Sequence, residues 1–211
     1  MPVGALLPLV SLDAAHVIWG YGAASETFDR YAPSLALFGP GLILFTVHYL
    51  MLRGYYALEL TRTVFFIPCA VAVVNIAAAL ALVTHVGPEG TSPALVVAYG
   101  ASYATGAAIS YTSLARRLGG PGVLQGRRTL RFLVRLGCVV AGSTGAAALV
   151  ALGFGAWDGA DSSWIAALAR AGVVTAVDVV AFVTLARVFR ITEVTSMISQ
   201  VSSRLSSGRR G

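Results

Sequence analysis

A chain of 211 residues that is 57% hydrophobic and only 11% charged, with a mean hydropathy of +0.79, is too apolar for an ordinary water-soluble domain. Its formal net charge of +6 rests on fifteen arginines and no lysine, spread over short segments that flank apolar runs. That distribution excludes a nucleic-acid-binding face, which needs a soluble basic surface, and leaves an integral membrane protein.

The first 31 residues begin with "MPVGALLPLVSL", an apolar run that is short, holds two prolines and lacks a basic leader region. Neither a secretory signal nor a full span fits it, and it reads as the cut end of a preceding helix. "DAAHVIWGYGAASETFDRYAP" then reads as a polar outer-face loop, with Trp19 and Tyr21 suited to the membrane interface.

Five apolar runs follow, at 33–52, 64–83, 93–114, 132–153 and 164–187. Each matches the roughly twenty residues that carry a helix across about 30 Å of hydrocarbon. None shows the polar and apolar alternation of a barrel strand. The fold expected is therefore an all-α membrane bundle of about five helices over residues 32–190, with a Ser/Arg-rich tail or linker at 191–211. The start of that tail suits a short amphipathic surface helix.

In the first span "FGPGL" sets Pro40 between two glycines, which predicts a bend, and His48 near the inner end reads as a packed or interfacial histidine. The stretch "MLRGYYALELTRTVFF" forms a helical hairpin, with Tyr55 and Tyr56 at head-group depth and Arg53 and Arg62 at the inner boundary. Asn75, midway along the second span, is placed to bond a neighbouring helix. Two stripes of small residues, Gly100, Ala104 and Ala108 on the third span and Gly137, Ala141 and Gly145 on the fourth, suggest close helix packing. Cys69 and Cys138 have neither metal-ligand nor redox spacing and read as small packing residues.

Charges within the spans are costly, about 2.5–3.5 kcal/mol at mid-helix. Arg170 is near enough to the outer face to snorkel. Asp178 lies well inside the last span and must take a partner, face a water-filled cavity or carry a proton; Arg135 on the antiparallel fourth span is the nearest candidate partner.

The segments 53–62, 115–131 and 187–211 hold two, five and five arginines, while the 84–92 and 154–163 loops hold none. The positive-inside rule then puts the N-terminus outside and the C-terminus in the cytoplasm. Basic loops of this kind also attract anionic membrane lipids. His16, His48 and His85 are far apart, and no nucleophile with a base, phosphate loop or metal cluster is legible, so no catalytic residue, metal or cofactor is expected.

"MLRGYYALELTRTVFFIPCAVAVVNIAAALALV" resembles the MurJ/MviN family of lipid II flippases. In that family an arginine, an aromatic-Tyr-Ala run, a Thr-Arg-Thr turn and a helix with a central asparagine recur in this order. The matching positions are Arg53, Tyr55, Tyr56, Ala57, Thr61, Arg62, Thr63 and Asn75. "RRTLRFLVRLGCVV", with Arg131, Phe132 and Arg135, is similar to the start of the family's thirteenth helix, and the N-terminal stretch to its outer loop before helix ten. Val64 stands where the family usually has proline, and the acidic residue before the turn comes one place early, as Glu59.

The resemblance implies that the spans correspond to helices ten to fourteen of a fourteen-helix transporter of the bacterial cell membrane. It implies alternating access, an undecaprenyl-pyrophosphate-linked precursor as cargo, and a groove at the last two helices for the lipid tail. The candidate transport residues are His48, Arg135, Arg170 and Asp178. A C-terminal fragment that needs a missing N-terminal lobe is the expected organisation. Two other readings are a polysaccharide-precursor or drug exporter of the same superfamily, and a non-transporting membrane anchor or assembly subunit.

Overall fold

The computed structural model describes residues 2–21, 27–120, 127–155 and 163–189, and among these every regular element is helical. Six long helices follow one another: α1 (Pro2–Trp19), α2 (Ala32–Ala57), α3 (Thr61–Val83), α4 (Thr91–Arg117), α5 (Arg127–Gly155) and α6 (Trp164–Val188). Single 3-10 turns, Phe28–Tyr31 and Pro88–Gly90, lead into α2 and α4.

Among the described residues five segments are long and apolar enough to cross a membrane: Pro2–Trp19, Phe28–Ala57, Thr61–Val83, Arg131–Phe154 and Trp164–Val188. The number agrees with the sequence reading, but the membership differs at both ends of the comparison. Residues expected to be an outer loop from Asp13 onward continue a helix to Trp19. Pro8 is absorbed within it, as prolines are tolerated in lipid-spanning helices, and the Ser11 hydroxyl donates to the Pro8 carbonyl at 3.1 Å.

Helix α4 is the other difference. It has 27 residues, ample length to span, yet its serines, threonines, tyrosines and glycines leave it outside that apolar set. The composition follows from position. α4 packs against both α2 and α3, and its buried face is Ala94, Ala98, Ser102, Gly106, Ser110 and Leu114, a four-residue repeat of mostly small side chains turned to protein instead of lipid.

Packing divides the bundle into α2–α3–α4 and α5–α6, with α1 touching α2 on one side and α5 and α6 on the other. The α1–α2 crossing is close because Gly4 and Gly39 face each other: a Cβ on Gly39 would collide with the Gly4 carbonyl oxygen. Apolar side chains such as Phe65, Leu80, Leu149 and Val180 point outward, the arrangement lipid requires. Cys69 and Cys138 also lie on outer faces, so they are not core-packing residues as the sequence suggested.

The two small-residue stripes correct the reading further. Gly100 does approach α2 closely, a Cβ on it lying 3.9 Å from the Gly41 Cα, but Ala104, Ala108, Gly137, Ala141 and Gly145 are all exposed, and a Cβ on Gly137 or Gly145 would meet nothing within 4 Å. The tight contacts run instead through Ser102, Gly106 and Ser110 on α4 and through Val139, Ser143 and Ala147 on α5. Spacing identified helix faces capable of close approach; it did not say which of two such faces meets protein.

The hairpin between α2 and α3 ends α2 in a Schellman motif. The Leu60 N–H bonds the Tyr55 carbonyl at 3.1 Å and the Glu59 N–H bonds the Tyr56 carbonyl at 3.0 Å. Glu59 supplies the left-handed residue, with φ of 56°, a position where glycine is usual. Leu60 packs back on the cluster of Leu52, Tyr55, Val64, Ile67 and Leu114, the apolar contact that accompanies this stop.

Candidate functional site

Where α2, α3 and α4 meet, the buried repeat of α4 meets polar groups from both neighbours. The Asn75 amide donates to the Ser102 hydroxyl at 3.3 Å, and that hydroxyl donates to the Tyr99 carbonyl at 2.8 Å. Two turns further, His48 Nδ1 and the Ser110 hydroxyl are 3.4 Å apart, and the Tyr55 hydroxyl donates to the Ser110 carbonyl at 2.7 Å. His48 is 3% exposed and Tyr55 fully enclosed. Gly106 makes this possible: a Cβ there would collide with Val71 and lie 3.1 Å from the His48 ring.

Beside this polar line is a cavity of about 390 Å³ lined by Phe45, His48, Tyr49, Asn75, Ile76 and Tyr103 among others. Its aromatic wall continues along α2 and α4. Phe38 stacks on Tyr99, Tyr99 meets Tyr103, and Tyr103 sits edge-on to both Phe45 and His48. At its inner end the Arg53 guanidinium lies over the Tyr49 ring, 5.3 Å from the centroid, a cation–π contact at the end of the hairpin.

A second region joins α1, α5 and α6. Arg170 pairs with Asp13 through its Nη2 at 2.8 Å and its Nε at 3.1 Å, with side chains 17% and 18% exposed. The arginine expected to snorkel to the outer surface is therefore held by an acid from α1. Asp178 is 1% exposed, and its Oδ1 has no hydrogen-bond partner among the described residues. Arg135 is exposed, and no ion pair joins it to Asp178. On the outer face of the α5–α6 pair runs an apolar groove of about 740 Å³, with Gly142, Ala146, Val173, Val177, Val180 and Leu185 in its walls.

The sequence-selected residues thus separate into groups. His48, Tyr55 and Asn75 converge on α4, while Tyr56 (60% exposed), Arg53, Thr61 and Arg62 are on the outside of the hairpin. Thr63 is half-buried at the start of α3. The paired tyrosines do different things: Tyr55 is a core residue with a buried hydrogen bond and Tyr56 faces out, so only the second suits a head-group anchor. Sequence reasoning missed Ser102, Tyr103, Gly106, Ser110 and Asp13. The four-residue repeat from Ala94 to Leu114 carried the signal for the α4 positions, and an acid in an apolar run carried it for Asp13.

Long apolar helices enclosing intramembrane polar groups define a multi-pass membrane protein. Residues 1–192 match the family model described as lipid II flippase MurJ, and the chain belongs to that family. No curated protein and no solved structure matches it.

Proposed function

We propose that the chain moves a lipid-linked peptidoglycan precursor, lipid II, between the leaflets of the bacterial cell membrane by alternating access, as one lobe of a two-lobed path. The family match over residues 1–192 carries this reading. Geometry supports it at two points. The α5–α6 groove is apolar, built largely of small and β-branched residues, and open along its length to lipid, which suits a polyprenyl tail. The polar cavity by His48 and Asn75 holds about 390 Å³, the size that fits a drug-like ligand and not a glycopeptide pyrophosphate, so the head group needs a larger path shared with a second lobe.

The direction of insertion belongs to the same proposal. α1 is antiparallel to α6, since Asp13 meets Arg170 and Leu6 meets Val174, so Pro2 lies toward the end of the bundle that carries Arg53, Arg62, Arg116, Arg117 and Arg187. With α1 a helix and not an outer loop, the positive-inside rule turns this whole end, including the start of α1, to the cytoplasm. The outside N-terminus expected from sequence rested on residues 1–31 being a loop.

Depletion of the gene in its host, followed by leaflet-resolved labelling of lipid II, tests the function. Accumulation on the inner leaflet, reversed by re-expression, is the expected result. A leaflet distribution that does not change on depletion would sink the reading.

A further inference from the structure

We propose that the outside of the α2–α3 hairpin is a binding site for one anionic phospholipid, with its phosphate held between Arg53 and Arg62 and one acyl chain laid along α3. A groove of about 510 Å³ runs there, lined by Tyr56, Thr61, Val64, Phe65, Cys69 and Ala72 among others. Its two ends differ in chemistry. Tyr56 and Thr61 bring hydroxyls to the hairpin end, and the lining from Val64 to Ala72 carries no charge. Arg62 follows Thr61 in the first turn of α3, and Arg53 lies one turn before Tyr56 on α2, so both guanidinium groups flank the polar mouth.

Charge and length together select the occupant. Both arginines are exposed, and among the described residues neither is in an ion pair; Arg53 has its contact with the Tyr49 ring, which leaves its N–H groups to donate. The hydroxyls of Tyr56 and Thr61 make no hydrogen bond among the described residues, in contrast to that of Tyr55. Arg53, Glu59 and Arg62 leave the hairpin with one net positive charge, which the single negative charge of a phosphodiester neutralises. From Thr61 to Ala72 the groove follows α3 for about 16 Å, roughly half of a 30 Å hydrocarbon core. That is the depth of one leaflet and the reach of one phospholipid chain. A polyprenyl tail would run well past the end, and a soluble phosphate would leave the apolar length of the groove uncovered.

Native mass spectrometry of the purified chain in neutral detergent counts bound lipids and tests the site without reference to transport. Dioleoylphosphatidylglycerol and dioleoylphosphatidylcholine share their acyl chains and differ in net charge, and each is titrated separately. One phosphatidylglycerol is expected to bind about tenfold more tightly than phosphatidylcholine, and Arg53→Gln or Arg62→Gln to weaken it about fivefold. Arg116→Gln with Arg117→Gln removes two charges from the same end of the bundle and is expected to leave binding unchanged. Cys69→Trp fills the groove at an exposed position, keeps every charge, and is expected to abolish binding. A loss at Arg116 and Arg117 as large as at the hairpin means a diffuse basic surface and overturns the proposal, as does full binding in Cys69→Trp. Undecaprenyl pyrophosphate that displaces phosphatidylglycerol at equal concentration assigns the groove to a polyprenyl anchor and overturns it too. The comparison of the two lipids on the wild-type chain needs no variant, and equal binding of both overturns the proposal by itself.

Discussion

The hydroxyl of Tyr55, at the inner end of α2, donates a 2.7 Å hydrogen bond to the backbone carbonyl of Ser110 in the middle of α4. The bond is fully buried and spans 55 residues of sequence, so it fixes the hairpin that carries the family motif against the most polar helix of the bundle. Tyr55→Phe removes only this bond and is expected to cost about 0.5–1.5 kcal/mol; Tyr55→Ala also empties the core cluster and is expected to cost about 3–5 kcal/mol. Tyr56→Phe, on an exposed face, is expected to change stability by less than about 0.5 kcal/mol. Thermal unfolding of the three variants in the same detergent checks the ranking.

Glu59 occupies the left-handed position of the Schellman motif with φ of 56°, a conformation that costs a side-chain-bearing residue roughly 1–2 kcal/mol relative to glycine. Glu59→Gly is therefore expected to stabilise the hairpin by about 1 kcal/mol, offset in part by the greater freedom of glycine in the unfolded chain. Glu59→Val, β-branched, is expected to destabilise it. A rise in melting temperature for the first and a fall for the second is the outcome to measure, and the reverse order would place the turn in a different conformation.

How much of this was legible beforehand depends on what lipid hides. The spans were readable because about twenty apolar residues in a row admit few alternatives, and 33–52, 64–83, 93–114, 132–153 and 164–187 all fall inside observed helices. Which face turns inward was not readable. In water the buried stripe is the apolar one, but in a bilayer both faces of α4 and α5 are apolar or small, so Ala104 and Ala108 looked as suitable as Gly106 and Ser110. For α1, two prolines and an acid concealed a helix whose Asp13 pairs with Arg170, which lies 157 residues later. The Tyr55 and Tyr56 pair shows the same limit: adjacent identical residues point to different surroundings, and only the register of α2 against α4 separates them.

Arg135 and Asp178 share the α5–α6 pair without meeting, since Arg135 is exposed and Asp178 is buried. Exchange of the two, Arg135→Asp with Asp178→Arg, is expected to give no recovery of the stability lost in Asp178→Arg alone. Additivity of the two single effects within about 0.5 kcal/mol is the measurable form of that statement. A clear rescue by the double variant would show that the two side chains pair during some state of the protein.

Arg170 and Asp13 behave oppositely. Their two contacts, at 2.8 and 3.1 Å, both converge on Asp13 Oδ1 at side-chain exposures of 17% and 18%, between α1 and α6. This pair is the polar tie between α1 and the α5–α6 unit, so its loss is felt as loosening of α1 more than as local damage. Removing one partner leaves the other charge largely desolvated, and either Asp13→Asn or Arg170→Gln is expected to cost about 3 kcal/mol, at the low end of buried pairs because some exposure remains. The double variant Asp13→Asn with Arg170→Gln is expected to be more stable than either single one would suggest, with a coupling of about 1–3 kcal/mol. Hydrogen exchange of the α1 backbone amides supplies an independent readout, since a freed α1 opens its helical bonds to solvent. Strict additivity of the two single variants, with no gain in α1 amide exchange, would mean that α1 is held by its Gly4–Gly39 crossing and apolar contacts alone, and that the ion pair contributes nothing to the junction between the two units of the bundle.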